Sequence, residues 1–264
     1  LLRGRRRPRN FGAGSPTVFR GDGYEFAELR QYVAGDDTRR IDWAATARAG
    51  ALQTRIVLED VALTLGAIVD DSGSMQLGRT RPLAASAHEA MMTWYEAALA
   101  DDRCARITAG GLVAPLGMRG FRSALVCANA RSAGIKLQLP RAFEVARAAL
   151  PRGAALLVVS DFFDLPDDDR MLLELGVRFD CTALFARDPW HEGLPVGGFI
   201  RMQDAESGEQ RGFYVGRKER ARYARAVAQR EEHVTKRLAG AGWRTGRLRE
   251  DDGRHALLEA FGLR

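Results

Sequence analysis

The chain has 264 residues, 46% hydrophobic and 28% charged, the composition of a globular protein rather than a disordered, fibrous or collagen-like one. A chain this long buries roughly 70% of the surface its unfolded form exposes, so it can build a core without disulfides or a structural metal. The net charge is +6, but Arg3, Arg5, Arg6, Arg7 and Arg9 crowd the opening stretch and leave the body close to neutral.

Residues 1–16, rich in Arg, Gly and Pro, read as a basic flexible arm, solvated or able to hold nucleic acid or an anionic surface. Residues 17–60 read as a small β-rich lead-in: aromatics and a dense Asp and Arg cluster at 21–43, then an edge strand at 52–60. From Val61 to the C terminus the pattern becomes α/β. The apolar run at 61–69 is followed by turn residues and by a helical period from Pro82 to Ala100 through Ala87, Met91, Trp94 and Ala98. A strand pair at 105–115, an undefined stretch at 118–135, a helix at 141–150, the strand before Asp161, a helix at 167–175 and a strand at 178–186 continue the alternation. This predicts a doubly wound, mostly parallel sheet with helices on both faces. A hairpin at 198–215, a charged helix stopped by Gly240, a short strand and a terminal helix form a C-terminal extension.

Cys104, Cys127 and Cys181 are odd in number and far apart, which argues against a disulfide framework or zinc ribbon and for a reducing, cytoplasmic setting. The longest apolar runs fall well short of the roughly 20 residues that cross a bilayer.

Chemistry concentrates at Asp70-Asp71-Ser72-Gly73-Ser74, directly after the first buried strand. Ligands of an open α/β sheet collect at the carboxyl ends of its strands. Asp70, Ser72 and Ser74 alternate across the turn, and their hard oxygens suit Mg²⁺ or Mn²⁺. Asp161, at the end of a second buried strand, is placed to complete the cluster from across the crevice. The plainer reading makes Ser72 or Ser74 the cap of the following helix.

These residues resemble the metal-ion-dependent adhesion site of von Willebrand factor A domains. More closely, the span from Gly21 onward resembles the bacterial family known as domain of unknown function 58, through G-x-G-x-E-F-x-x-L-R-x-Y at 21–32, G-D-D-x-R-x-I-D-W at 35–43, D-x-S-x-S at 70–74, S-D-F-F-D at 160–164 and R-D-P…L-P at 187–195. The resemblance implies a von Willebrand A-like fold acting as a non-enzymatic protein-binding module. It also implies a MoxR-type AAA+ ATPase as partner in the assembly or activation of client complexes. The chain is similar to the family's soluble subgroup. Its adhesion site is incomplete: the stretch 133–143, where the family pattern supplies a threonine, contains no hydroxyl residue and places Ile135, Lys136 or Leu137 near the position.

Other features have two readings each. Arg39, Arg40 and Trp43 are candidate partner contacts, or Asp36, Asp37 and Asp42 pair with those arginines and lock the lead-in against the main sheet. The basic start of the helix at 217–238 suits an acidic partner, or is a solvated face. No phosphate-cradling or nucleophile-elbow motif is present, and His88, His191, His233 and His255 lack metal-ligand spacing. Metal-assisted phosphoester hydrolysis is the enzymatic alternative. Nucleic-acid binding through the arm is the third.

Overall fold

A computed structural model describes residues 20–58, 62–130, 136–187, 190, 197–203 and 208–263. The arm at 1–16, Ile135, His191 and most of the 187–195 motif lie outside them.

Residues 20–58 form a two-stranded antiparallel sheet of β1 (Arg20–Gln31) and β2 (Gln53–Leu58). Between the strands lie a 3-10 turn at Thr38–Arg40 and a short helix, α1 (Trp43–Ala49). The lead-in is thus less purely β than its sequence suggests. Asp37 and Asp42 supply the reason, because each caps a helical turn by accepting the backbone N–H of Arg39 and Ala45 respectively. Asp36 takes Arg30 at 2.6 Å and Asp42 takes Arg55 at 2.8 Å. These acids fasten the turn to its own two strands, where the sequence suggests a lock against the main sheet.

The main sheet has six strands in the order β10-β7-β6-β3-β4-β5. They are β3 (Thr64–Val69), β4 (Arg103–Thr108), β5 (Gly111–Val113), β6 (Ala155–Ser160), β7 (Asp180–Ala186) and β10 (Arg244–Leu248). β5 alone is antiparallel to its neighbour. Alternate residues of each central strand face opposite ways. Leu65, Ala67 and Val69 of β3 join Leu157 and Val159 of β6 in one core, beneath α2 (Leu83–Glu96), α3 (Gly120–Asn129) and α7 (Gly253–Ala260). Ile68, Leu156 and Val158 join the other, beneath α4 (Leu139–Ala149), α5 (Arg170–Arg178) and α6 (Arg217–Gly240). The expected doubly wound sheet is present.

Most element ends shift by a few residues, as with the helix expected at 167–175 and found at Arg170–Arg178, and three differences change the plan. The stretch 118–135 contains a full helix, α3. The helix expected to run to Ala100 stops at Glu96. The C-terminal segment is no appendage, because β10 pairs in parallel with β7 and α7 packs on the α2 face, so both complete the main sheet. The hairpin of β8 (Gly198–Gln203) and β9 (Gln210–Val215) stands as a separate two-stranded sheet.

Candidate functional site

β3 and β6 are hydrogen-bonded neighbours with Val69 opposite Val159, and beyond this rung the chain leaves the sheet toward opposite faces. That is the topological switch point, where the loops diverge and leave a crevice. The D-x-S-x-S loop leaves β3 there, and the Ser160-Asp161 loop leaves β6. The two loops are joined by side chains. One oxygen of Asp70 accepts the Ser72 N–H at 2.9 Å and the other accepts the Ser160 hydroxyl at 2.9 Å. Ser72 Oγ lies 3.1 Å from Ser74 Oγ, and Ser74 Oγ donates to Asp161 Oδ2 at 2.9 Å. Since Ser160 and Asp161 are consecutive, these bonds close a ring that crosses between the strands twice.

An ionised carboxylate only accepts, so Ser74 gives its single hydrogen to Asp161, and the Ser72 hydroxyl has Ser74 Oγ and the Asp70 carboxylate as its acceptors. In either arrangement lone pairs of Ser72 Oγ and Ser74 Oγ are left over for an electrophile. The spacings suit a small hard cation: ligands at about 2.1 Å in an octahedron stand about 3 Å apart along each edge, matching the observed 3.1 and 2.9 Å. Ser72, Ser74 and Asp161 therefore fit as direct donors. Asp70, with both oxygens engaged inside the protein, contributes charge and holds the turn. The serines do not cap a helix through their side chains: Ser72 begins the 3-10 turn Gly73–Gln76 without a side-chain cap bond, and Pro82 stands before α2.

Burial pushes the Asp70 carboxyl above its ordinary value, opposed by hydrogen bonds from Ser72 and Ser160 and reinforced by the nearby charge of Asp161. An anion held at electrostatic expense in a crevice marks a place where a cation would be welcome. A cationic side chain stands close by. Arg230 of α6 donates to the Asp161 carbonyl at 3.1 Å, and burial lowers its pKa while Asp161 partly restores it. Arg230 also lies 4.8 Å from the ring centroid of Phe163, which is 80% exposed at the rim. Phe162, between them, is held at φ +53° with its ring buried and stacked on Phe185. That left-handed backbone turns Phe163 outward, and Phe163 N–H donates to Asp161 Oδ1. Beside the ring opens a cleft of about 530 Å³ lined by Asp70, Asp71, Gln76, His88 and Arg106, among others. Arg106 is anchored there by the Ala128 and Ala130 carbonyls at the end of α3.

The remaining expected residues lie apart. Lys136 lines a different cleft with Thr108, Gly111 and Arg141, and Leu137 is buried in the core beneath α4. Trp43 is 68% exposed on α1 in the lead-in, beside the turn carrying Arg39 and Arg40. His233 and His255 are exposed away from the ring, whereas His88, also exposed, lines the cleft beside it. Ser160 and Arg230 are the members that sequence reasoning misses. Ser160 is visible inside the S-D-F-F-D string but reads as the end of a strand. Arg230 sits 69 residues from Asp161 in a helix rich in arginine, with no signal to single it out.

The profile described as "Protein of unknown function DUF58" matches residues 28–233. The chain belongs to the DUF58 family. The DUF58 match includes the whole ring and both cores' central strands, and is narrower than the span from Gly21 to the C terminus suggested by motifs. Uncharacterized proteins of Mycobacterium tuberculosis H37Rv and Mycobacterium bovis are each 30% identical over 242 residues, covering 88% of this DUF58 chain and 76% of theirs. Among solved structures, an aerotolerance-related membrane protein from Bacteroides fragilis NCTC 9343 aligns with 76% of this chain and 98% of its own at 14% identity and TM-score 0.46. The conserved hypothetical protein BatB from Bacteroides thetaiotaomicron aligns with 69% of this chain and 99% of its own at 15% identity and TM-score 0.39. Among the described residues no helix is long and apolar enough to cross a membrane.

Proposed function

We propose that this DUF58 protein is a non-enzymatic, cytoplasmic protein-binding module of von Willebrand A type that engages its partner at the notch formed by Asp70, Ser72, Ser74 and Asp161. The observation that carries the reading is the closed ring joining the two acidic loops at the switch point. The A-type assignment draws support from a central first strand, helices on both faces and an antiparallel edge strand. A MoxR-type AAA+ ATPase is the partner that the family resemblance suggests, with assembly or activation of a client complex as the outcome. Arg39, Arg40 and Trp43 would form a second contact region on the lead-in, since exposed Trp and Arg commonly anchor interfaces.

Ser72, Ser74 and Asp161 would hold Mg²⁺ or Mn²⁺, and a divalent ion bound there supplies a coordination position that a partner's Asp or Glu can fill. The chain's own groups do the rest. Asp70 fixes the turn through Ser72 N–H, Ser160 couples the two loops, and Arg230 steadies the Asp161 carbonyl. No bond is made or broken; recognition depends on an exchange of oxygen ligands.

A thermal-shift titration with MgCl₂ and MnCl₂ tests the ion, since selective binding to the folded state must raise the melting temperature. The wild type is expected to gain stability and Asp161→Ala to gain none. Capture of a MoxR-type ATPase from the same organism is expected to need the ion and to be lost in Asp70→Ala. Capture undiminished by both EDTA and Asp70→Ala would overturn the reading.

A further inference from the structure

The notch is not the only surface whose charge lacks an internal partner. α6 falls into two halves of different character. In its C-terminal half the charged side chains are engaged: Lys236 pairs with Glu232 at 2.6 Å, Arg237 with Asp169 at 2.7 Å, and Glu231 with Arg247 and Arg187 at 2.5 and 3.4 Å. In its N-terminal half Arg217, Lys218, Arg222 and Arg225 are exposed, and none forms an ion pair with a described residue. The sole acid between 217 and 230, Glu219, is turned onto the Gly216 N–H at 3.0 Å.

Helical spacing collects these cations. Lys218, Arg222, Arg225 and Gln229 recur at i, i+4, i+7 and i+11, which puts them along one face. They border a hollow of about 590 Å³ whose floor includes Ala221 and Ala226. Arg217 and Lys218 also occupy the first turn, where the positive end of the helix dipole opposes them. Mutual repulsion and an adverse dipole both weaken this arrangement in the free protein, and an external anion relieves both.

We propose that this hollow is a docking surface for a short acidic polypeptide segment. Charge complementarity sets its sign, and the linear spacing of the cations sets its class. All the described lining side chains belong to α6, so the hollow is a shallow trough between long basic side chains with the Ala221 and Ala226 methyls between them. A row of cations suits an extended chain, and among the described residues no large apolar side chain stands on this face to enter a lipid surface. No aromatic ring lines it, so nucleobases find no stacking platform. From Lys218 to Gln229 the helix advances about 16 Å at 1.5 Å per residue, the length of about five extended residues at roughly 3.3 Å each. Two or three carboxylates on such a segment can meet Lys218, Arg222 and Arg225 in turn, with the Gln229 amide placed to bond its backbone. The surface is independent of the ion chemistry proposed for the notch.

Fluorescence polarisation of fluorescein-labelled octaglutamate with the full chain in EDTA, where no ion is held at the notch to take a carboxylate, tests the proposal. Binding is expected at low ionic strength and should weaken as salt screens it. The triple variant Lys218→Glu, Arg222→Glu, Arg225→Glu should bind on the order of tenfold more weakly or worse, given three opposed charge contacts. Its circular dichroism should match the wild type, because acids near a helix N-terminus agree with the dipole. Should that variant fail to fold, the Gln triple at the same positions carries the test. Arg122→Glu on α3 and Asp161→Ala at the notch should both leave octaglutamate binding unchanged, the latter separating this surface from the notch. The proposal is overturned if a folded triple variant binds within twofold of the wild type, or if Arg122→Glu weakens binding as much. It is equally overturned if labelled oligothymidylate or phosphatidylglycerol vesicles bind the wild type more tightly than octaglutamate and lose that binding in the triple variant.

Discussion

Phe162 concentrates the physics of the crevice in one residue. Its φ of +53° is rarely adopted by a bulky side chain, and such a conformation persists only where the surroundings over-determine it. Here they do: its ring is buried against Phe185, and its N–H donates to Ser160 Oγ at 3.0 Å. Phe162→Ala is expected to cost about 3–5 kcal/mol by the usual scale for a buried phenylalanine, measured by urea unfolding, and to slacken the loop that carries Asp161. Asp42 offers a cleaner electrostatic test. Backbone N–H donation from Ala45 and the Arg55 partner hold its carboxyl below the ordinary value. A depressed folded-state pKa stabilises above the unfolded value and loses that contribution as pH falls through the folded one. Asp42→Asn keeps the cap and loses the ion pair. Its melting temperature should lie below the wild type at pH 7 and converge with it as the pH drops below the carboxylate range. The three thiols make the opposite case. All are buried, with Cys104 pushed up to about 12, Cys127 to about 11 and Cys181 well upward, chiefly by burial. Iodoacetamide at pH 8 should leave the native protein unlabelled and modify every cysteine once guanidinium unfolds it.

Elements differ in how openly the sequence announces them. β3 and β6 are continuous apolar runs, buried on both faces as parallel strands must be, and they read off directly. α3 does not. Its inward face is Gly120, Ser123, Ala124, Cys127 and Ala128, small or polar groups that leave no hydrophobic period, while Phe121 and Leu125 point outward. No side chain caps its start either, so both usual helix signals are missing. α7 shows a constraint of another kind: a Cβ on Gly253 would stand 1.8 Å from the Ser86 carbonyl oxygen on α2. Gly253→Ala must push the two helices apart, and a loss of roughly 1–3 kcal/mol is expected from such overpacking, readable as a lower denaturant midpoint at unchanged slope.

At the scale of the whole molecule, the doubly wound plan and the meeting of Asp70 with Asp161 follow from strand order and were open to sequence reasoning. The place of the C-terminal strand in the sheet is not legible in the same way, because β10 is five residues long and carries two arginines and a glycine, with little to mark it as part of a sheet. Its position decides what a truncation does. Ending the chain after Gly240 would bare the edge of β7 and remove α7 from the core it shares with α2. Such a fragment should be insoluble or partly unfolded on expression, even though it contains the entire DUF58 match. The notch has its own large-scale property. Its bonds run Asp70, Ser72, Ser74, Asp161, Ser160 and back to Asp70. A necklace severed at one bead is still strung together by the longer way round, whereas two cuts let a piece drop. Alanine at Ser74 leaves the loops tied through Ser160 and Asp70, and alanine at Ser160 leaves them tied through Ser74 and Asp161, so each alone should keep the contour nearly as it was and the two together should lose far more than their sum. A survey of solitary replacements read by stability would pass over both, even where Ser74→Ala has already taken a donor from the ion.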